Sequence, residues 1–275
     1  AIKDPSIKNI ETLLQQFKPI GIETHPNNFV QWATLAKKRP ELFENTRYYH
    51  STFDAINKET MATFLKTNRK KNGIYLQIYG QSECGPAIVR KHTLESLPGI
   101  NIRNMGIGFK NFTKARIATN DGTLLPTNTP GNIQLFSKGR ALTYFKEDTR
   151  FQENVYDEWW DTGDYGLIND KGELLLHDRQ IDLVETVEST LAIEDYLLDH
   201  LSFLEEVVII RDNHGYPQPI IAITDGELFQ ENLWFKAIEN LPHLNEPIMM
   251  EYDKIPRTAT MKVQRRALEQ LLFNK

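Results

Sequence analysis

Tyr79-Gly80-Gln81-Ser82-Glu83 closes the apolar, β-prone run Gly73-Ile74-Tyr75-Leu76-Gln77-Ile78, and its reading decides the fold. The run predicts a strand, and Gly80 to Glu83 predict a turn at its end. A carboxylate at the mouth of such a turn suits Mg2+, which takes oxygen ligands and bridges substrate phosphates. A neighbouring hydroxyl is a donor to phosphate or carboxylate oxygen. Read alone, the stretch is no more than a strand ending in a polar turn. Three more short motifs follow it: Asp161-Thr162-Gly163-Asp164, then Asp178-Arg179 running into Ile181-Asp182, then Pro256-Arg257-Thr258-Ala259-Thr260-Met261-Lys262.

Upstream of the turn, Ile7, Ile10, Leu13, Leu14 and Phe17 recur at helical spacing. A second helix over 28–38 starts at Pro26-Asn27 and is stopped by Pro40, and a third spans 57–70. Helices feeding a strand suggest an α/β layer. From about residue 98 the pattern turns β-rich, with short strands over 112–118, 132–136 and 165–168. The turn Asn169-Asp170-Lys171-Gly172 leads into a further strand, Glu173 to His177. After Arg179 come a helix near 190–201, strands over 207–210, 220–224 and 248–252, a helix near 230–240, and a last helix from about 263. A boundary at Gln180 to Asp182 divides the chain into 1–180 and a small α+β domain, 181–275.

The composition is that of a globular chain. Net charge is −5 with 40% hydrophobic residues, so no nucleic-acid or anionic-membrane partner is called for. No apolar run approaches the ~20 residues that span a bilayer. One cysteine, Cys84, excludes an internal disulfide and fits a cytoplasmic location. It reads as a small buried residue, since a nucleophile needs a base partner nearby. The seven histidines show no metal spacing, and His25, His50 and His92 read as structural. Trp159 and Trp160 read as core.

Taken together, the four ordered motifs resemble the second half of an adenylate-forming ligase, the superfamily of acyl-CoA synthetases, peptide-synthetase adenylation domains and luciferases. The resemblance implies part of a large α/β domain (1–180) that binds ATP and acid, and a small mobile α+β domain (181–275) carrying a catalytic lysine. It implies activation of a carboxylic acid by ATP as an acyl-adenylate, then transfer to the thiol of CoA or of an acyl or peptidyl carrier protein. It assigns adenine stacking to Tyr79 and close backbone approach to Gly80. Ser82 would donate to the α-phosphate or acyl carboxylate, and Glu83 would hold Mg2+. Asp164 would bind the ribose, Arg179 the ribose and phosphate, and Asp54 belongs to the loop beside adenine. Lys262 would bridge carboxylate oxygen and α-phosphate in the transition state.

The chain also departs from the pattern. No Gly-rich phosphate loop occurs in it, which implies a fragment or a split enzyme with a complementary N-terminal chain. Glycines of the pattern are replaced by His50-Ser51-Thr52-Phe53-Asp54, by Asp178 before the arginine, by Glu185 to Thr190 after the hinge, and by Met261 before the lysine. Ile181 stands where the hinge residue is usually Asp or Lys. These losses leave open the alternative of a non-catalytic scaffold or carrier-docking protein on a degenerate ligase fold. Tyr49, Phe53, Ile78 and Cys84 are expected to form an apolar wall of the acyl pocket.

Overall fold

The computed structural model describes residues 2–51, 56–258 and 262–273. By its internal contacts the chain divides into two compact units. One is Ala1–Thr162 with Gly166–Leu176, and the other is Gly163–Tyr165 with His177–Lys275.

The first unit runs α1 (Ile7–Phe17), β1 (Gly21–Thr24), α2 (Pro26–Lys38), β2 (Tyr48–Ser51), α3 (Lys58–Thr67), β3 (Ile74–Gln81) and β4 (Gly85–His92). It continues with β5 (Asn104–Gly108), β6 (Thr113–Ala118), β7 (Gly131–Ser137), α4 (Asp148–Gln152), β8 (Val155–Tyr156), most of β9 (Trp159–Ile168) and the first half of β10 (Leu174–Arg179), whose residues Gly163–Tyr165 and 177–179 count with the second unit. The strands join in the order β1-β2-β3-β4-β5-β10-β9-β7-β6, with β8 paired to β9. β1, β2 and β3 are parallel, connected through helices, and β3 turns back antiparallel into β4.

The helices form where their patterns predict. Pro26 opens α2 at its first turn, where a missing N–H costs nothing. Asn57 caps α3 by accepting from the Thr60 N–H at 2.8 Å. Their apolar faces meet the sheet in an aromatic core: Phe29 lies 5.1 Å from Phe64 and 5.5 Å from Tyr75, ring centre to ring centre. A second core, holding Tyr79, Cys84, Met105, Ile133, Phe151 and Trp160, lies under the β-rich part. Strands 21–24, 48–51, 85–92, 104–108 and 155–156 went unread in the sequence, and Trp159–Ile168 is longer than the strand expected.

The second unit holds α5 (Thr190–His200), β11 (Leu204–Arg211), β12 (Pro217–Ile223), α6 (Glu231–Ile238), β13 (Ile248–Met249) and α7 (Arg265–Phe273). β11 pairs antiparallel with β12, and β12 parallel with β13. Val207 and Ile209 point into one core with α5 and Trp234, while Val208 and Ile210 point into another with Leu268 of α7. Burial on both faces explains the unbroken run Val207-Val208-Ile209-Ile210. Gln180–Asp182 is a short 3-10 turn inside this unit.

Candidate nucleotide and acyl site

Tyr79 to Glu83 lie at the end of β3, where a bulge shifts the pairing with β4 between Tyr79 and Gly80. Gly80 is required by the chain's own backbone. A Cβ there would meet the Gly85 carbonyl oxygen at 2.1 Å. Tyr79 is 9% exposed, with its side chain in the β-side core. Ser82 is exposed at the tip of the turn. Asp54 and Phe53 lie outside the described residues. Of the expected acyl wall, Tyr49 belongs to the helix-side core and Cys84 to the β-side core, so these two do not share a surface. Burial pushes the Cys84 thiol up to about 11 against the opposing charge of Arg140, which disfavours the thiolate a nucleophile needs.

Glu83 is held by the segment after β7. Its carbonyl accepts from the Ala141 N–H at 2.7 Å, and the Cys84 carbonyl accepts from Ser137 Oγ at 2.8 Å. The Tyr144 hydroxyl donates to Glu83 Oε1. Burial and this hydrogen bond push the Tyr144 phenol up to about 12, so it stays a donor. Oε2 has no hydrogen-bond partner among the described residues. No cluster of three metal-ligating side chains occurs among them either. The donor set therefore fits Mg2+ only as an ion held by one carboxylate, water and substrate phosphates, which is how Mg2+ is usually bound.

Asp164 follows Gly163, whose φ of +72° gives β9 a local turn that a side-chain residue would resist. Arg179 Nε lies 3.5 Å from Asp164 Oδ1, and Gln180 Nε2 donates to the Asp164 carbonyl at 3.3 Å. The structure thus brings Asp164 and Arg179 together within the second unit. The Arg179 side chain is 57% exposed, leaving the guanidinium open to an anion.

Asp178, standing where the motif pattern has glycine, anchors α5. Its Oδ2 accepts from the Thr190 N–H at 2.9 Å, and its Oδ1 accepts from Thr190 Oγ1 at 2.6 Å and from the Leu191 N–H at 3.1 Å.

The Lys262 carbonyl accepts from the Thr258 N–H at 2.8 Å, and the adjacent Val263 pairs antiparallel with Arg257; residues 259–261, with Met261 of the motif, lie outside the described residues. The neighbouring arginines are anchors. Arg257 donates to Glu206 Oε2 at 2.6 Å and lies over the Tyr252 ring at 4.3 Å. Arg265 forks onto both oxygens of the buried Glu194 at 2.7 and 2.8 Å and donates to the Ile209 carbonyl at 2.7 Å. The Ile209 N–H donates to Glu194 Oε1 at 2.6 Å, so this pair caps the open edge of β11. Burial raises the Glu194 carboxyl above its ordinary range and Arg265 opposes that. Tyr144, Asp178 and the two arginine anchors escaped the sequence reading because their partners lie far off along the chain.

No family model matches the chain. It is 35% identical over 269 residues to 3-amino-2-hydroxy-4-methoxybenzoate diazotase from Streptomyces cremeus, covering 98% of this chain and 49% of that protein. It is 30% identical over 161 residues to 2-succinylbenzoate–CoA ligase of Bacillus cytotoxicus, covering 56% of this chain and 34% of that one. Its fold matches amide bond synthetase McbA from Marinactinospora thermotolerans with a TM-score of 0.81 at 17% identity, over 99% of this chain and 56% of that one. The chain thus spans about half the length, or less, of the curated relatives it matches. With four motifs in order and the fold around them, the chain belongs to the adenylate-forming ligase superfamily, of which it corresponds to the C-terminal half.

Proposed function

We propose that the protein activates a carboxylic acid with ATP. A carboxylate oxygen bonds to the α-phosphorus, pyrophosphate leaves, and an acyl-adenylate results. A CoA or carrier-protein thiol then displaces AMP. The observation that carries this reading is the Asp164–Arg179 pair: a buried carboxylate for ribose hydroxyls beside an exposed guanidinium for phosphate. Ser82 and Glu83 would orient the phosphate and acid oxygens, with Mg2+ neutralising phosphate charge at Glu83. Lys262 would meet the charge that grows on the α-phosphate and leaving group. The small domain is proposed to begin near Gln180 to Asp182 and to move between half-reactions. A complementary N-terminal segment would supply the phosphate loop. Exposed apolar side chains beside the edge strand β1, Phe17 at 66% and Ile20 at 67%, support a surface that another segment covers. Among the described residues no helix is long and apolar enough to cross a membrane.

The diazotase relative favours a second reading. Diazotisation of an arylamine takes nitrite, a planar oxyanion like a carboxylate. Its oxygen would bond to the α-phosphorus as pyrophosphate leaves. The amine nitrogen then attacks the nitroso nitrogen, AMP departs with its oxygen, and the nitrosamine takes a proton and loses water to give the diazonium. Exchange of radiolabelled pyrophosphate into ATP, run on the full encoded protein with aromatic acids and with nitrite in turn, separates the two. Exchange with acids alone supports acyl activation, and exchange with nitrite alone supports diazotisation. Exchange with neither overturns both and favours a scaffold.

A further inference from the structure

Gln81 is the middle of Tyr-Gly-x-Ser-Glu, a position to which the motif assigns no role. Its side chain nevertheless joins two of the motifs. Nε2 donates to the Thr162 carbonyl at 2.6 Å, and Oε1 accepts from Trp160 Nε1 at 3.1 Å. All three residues belong to the first compact unit. The amide orientation is fixed by its partners. A flipped amide would set two donors against each other at Trp160 and two acceptors against each other at Thr162. Both partners are themselves immobile. Trp160 is 3% exposed and packs on Phe151 at 4.9 Å, and Thr162 Oγ1 donates to the Ile133 carbonyl at 2.8 Å.

The Ser82–Cys84 turn follows the bulge in β3. Ser137, Ala141 and Tyr144 grip it from the β7 side. Gln81 ties its base to β9, two residues before Asp164. We infer that Gln81 is a positioning residue that sets the spacing between the Ser82–Glu83 turn and the Asp161–Thr162 stretch of β9, and thereby the affinity for the nucleoside monophosphate. This rests on the nucleotide-binding reading proposed above.

Two substitutions of nearly the same length test it. Gln81→Glu keeps an acceptor for Trp160 but sets a carboxylate oxygen against the Thr162 carbonyl. Gln81→Met removes both bonds. The probe is AMP, whose dissociation constant is measured by calorimetry on the full encoded protein. Both variants are expected to weaken AMP binding by about tenfold, one well-placed buried hydrogen bond's worth. Met61→Ala, in the helix-side core, serves as a control that lowers the melting midpoint away from the turn. It is expected to leave AMP affinity unchanged. Indole emission, read against a Trp160→Phe background, should change more in Gln81→Met than in Gln81→Glu. Unchanged AMP affinity in Gln81→Glu overturns the inference and leaves the functional reading standing. So does an equal loss of affinity in Met61→Ala at a matched midpoint, since stability alone then explains it. Wild-type protein that binds no AMP overturns the functional reading and this inference with it.

Discussion

Replacing Asp178 with alanine should unfasten α5 from β10. Asp178 is 3% exposed, and its two oxygens take three donors at the start of the helix. Losing a capping carboxylate costs about 0.5–2 kcal/mol. The Thr190 hydroxyl, on a residue with 0% exposure, would then lose its acceptor, which adds about 1–3 kcal/mol. The terms overlap, so the expected loss is about 2–4 kcal/mol. For a unit of about 100 residues, such as His177–Lys275 with its short insert, 1 kcal/mol shifts the midpoint by about 4–8 °C. The transition of the second unit should therefore fall by roughly 10–30 °C in calorimetry. Asp178→Asn keeps one good acceptor and should lose about half as much. Amide exchange at Leu191 should quicken well ahead of exchange at Ile209. An Asp178→Ala protein within about 0.5 kcal/mol of wild type in urea titration, the range of an ordinary surface change, refutes the anchoring role.

On the proposed reading, in which Lys262 meets charge that grows only in the transition state, Lys262→Ala should lower pyrophosphate exchange by about 100-fold or more while ATP binding barely moves. Asp164→Ala should raise the KM for ATP at nearly constant turnover, since a ribose contact is alike in ground and transition states; steady-state kinetics on both variants separates the roles. Gly80→Ala should cost at least about 2 kcal/mol of stability in chemical denaturation, because its Cβ would collide with the Gly85 carbonyl. Burial holds His92 neutral, with its pKa lowered to about 4, and its Nε2 pairs with Gln77 Oε1 at 3.0 Å. The unfolded state takes up the proton first, so His92 should make stability fall as pH drops from about 6.5 toward 4. His92→Gln should flatten that part of the pH profile in thermal melts.

The helices were legible because Ile10 and Leu14, Phe29 and Trp32, and Met61 and Phe64 sit on faces whose period the chain states locally. β1, β2 and β5 were not, since a strand of four or five residues carries too few alternations to stand out from a loop, and the eight-residue β4 does not alternate regularly between buried and exposed positions. Gly80 was legible as a special position, but its cause lay in the return strand, which the motif does not mention. The anchoring by Arg257 and Arg265 was not legible, because charge alone does not tell a solvated cation from a guanidinium buried on a carboxylate. Asp178 read as a missing glycine, and only the fold shows what the carboxylate gained in exchange.

Those two arginines have a mechanical consequence for Lys262. The chain on either side of it is fastened, by Arg257 to Glu206 of β11 and by Arg265 to Glu194 of α5 and the Ile209 carbonyl of β11. A loop so fastened has little translational freedom at its ends. Were Lys262 to approach a phosphate as proposed, β11, α5 and α7 would travel with it.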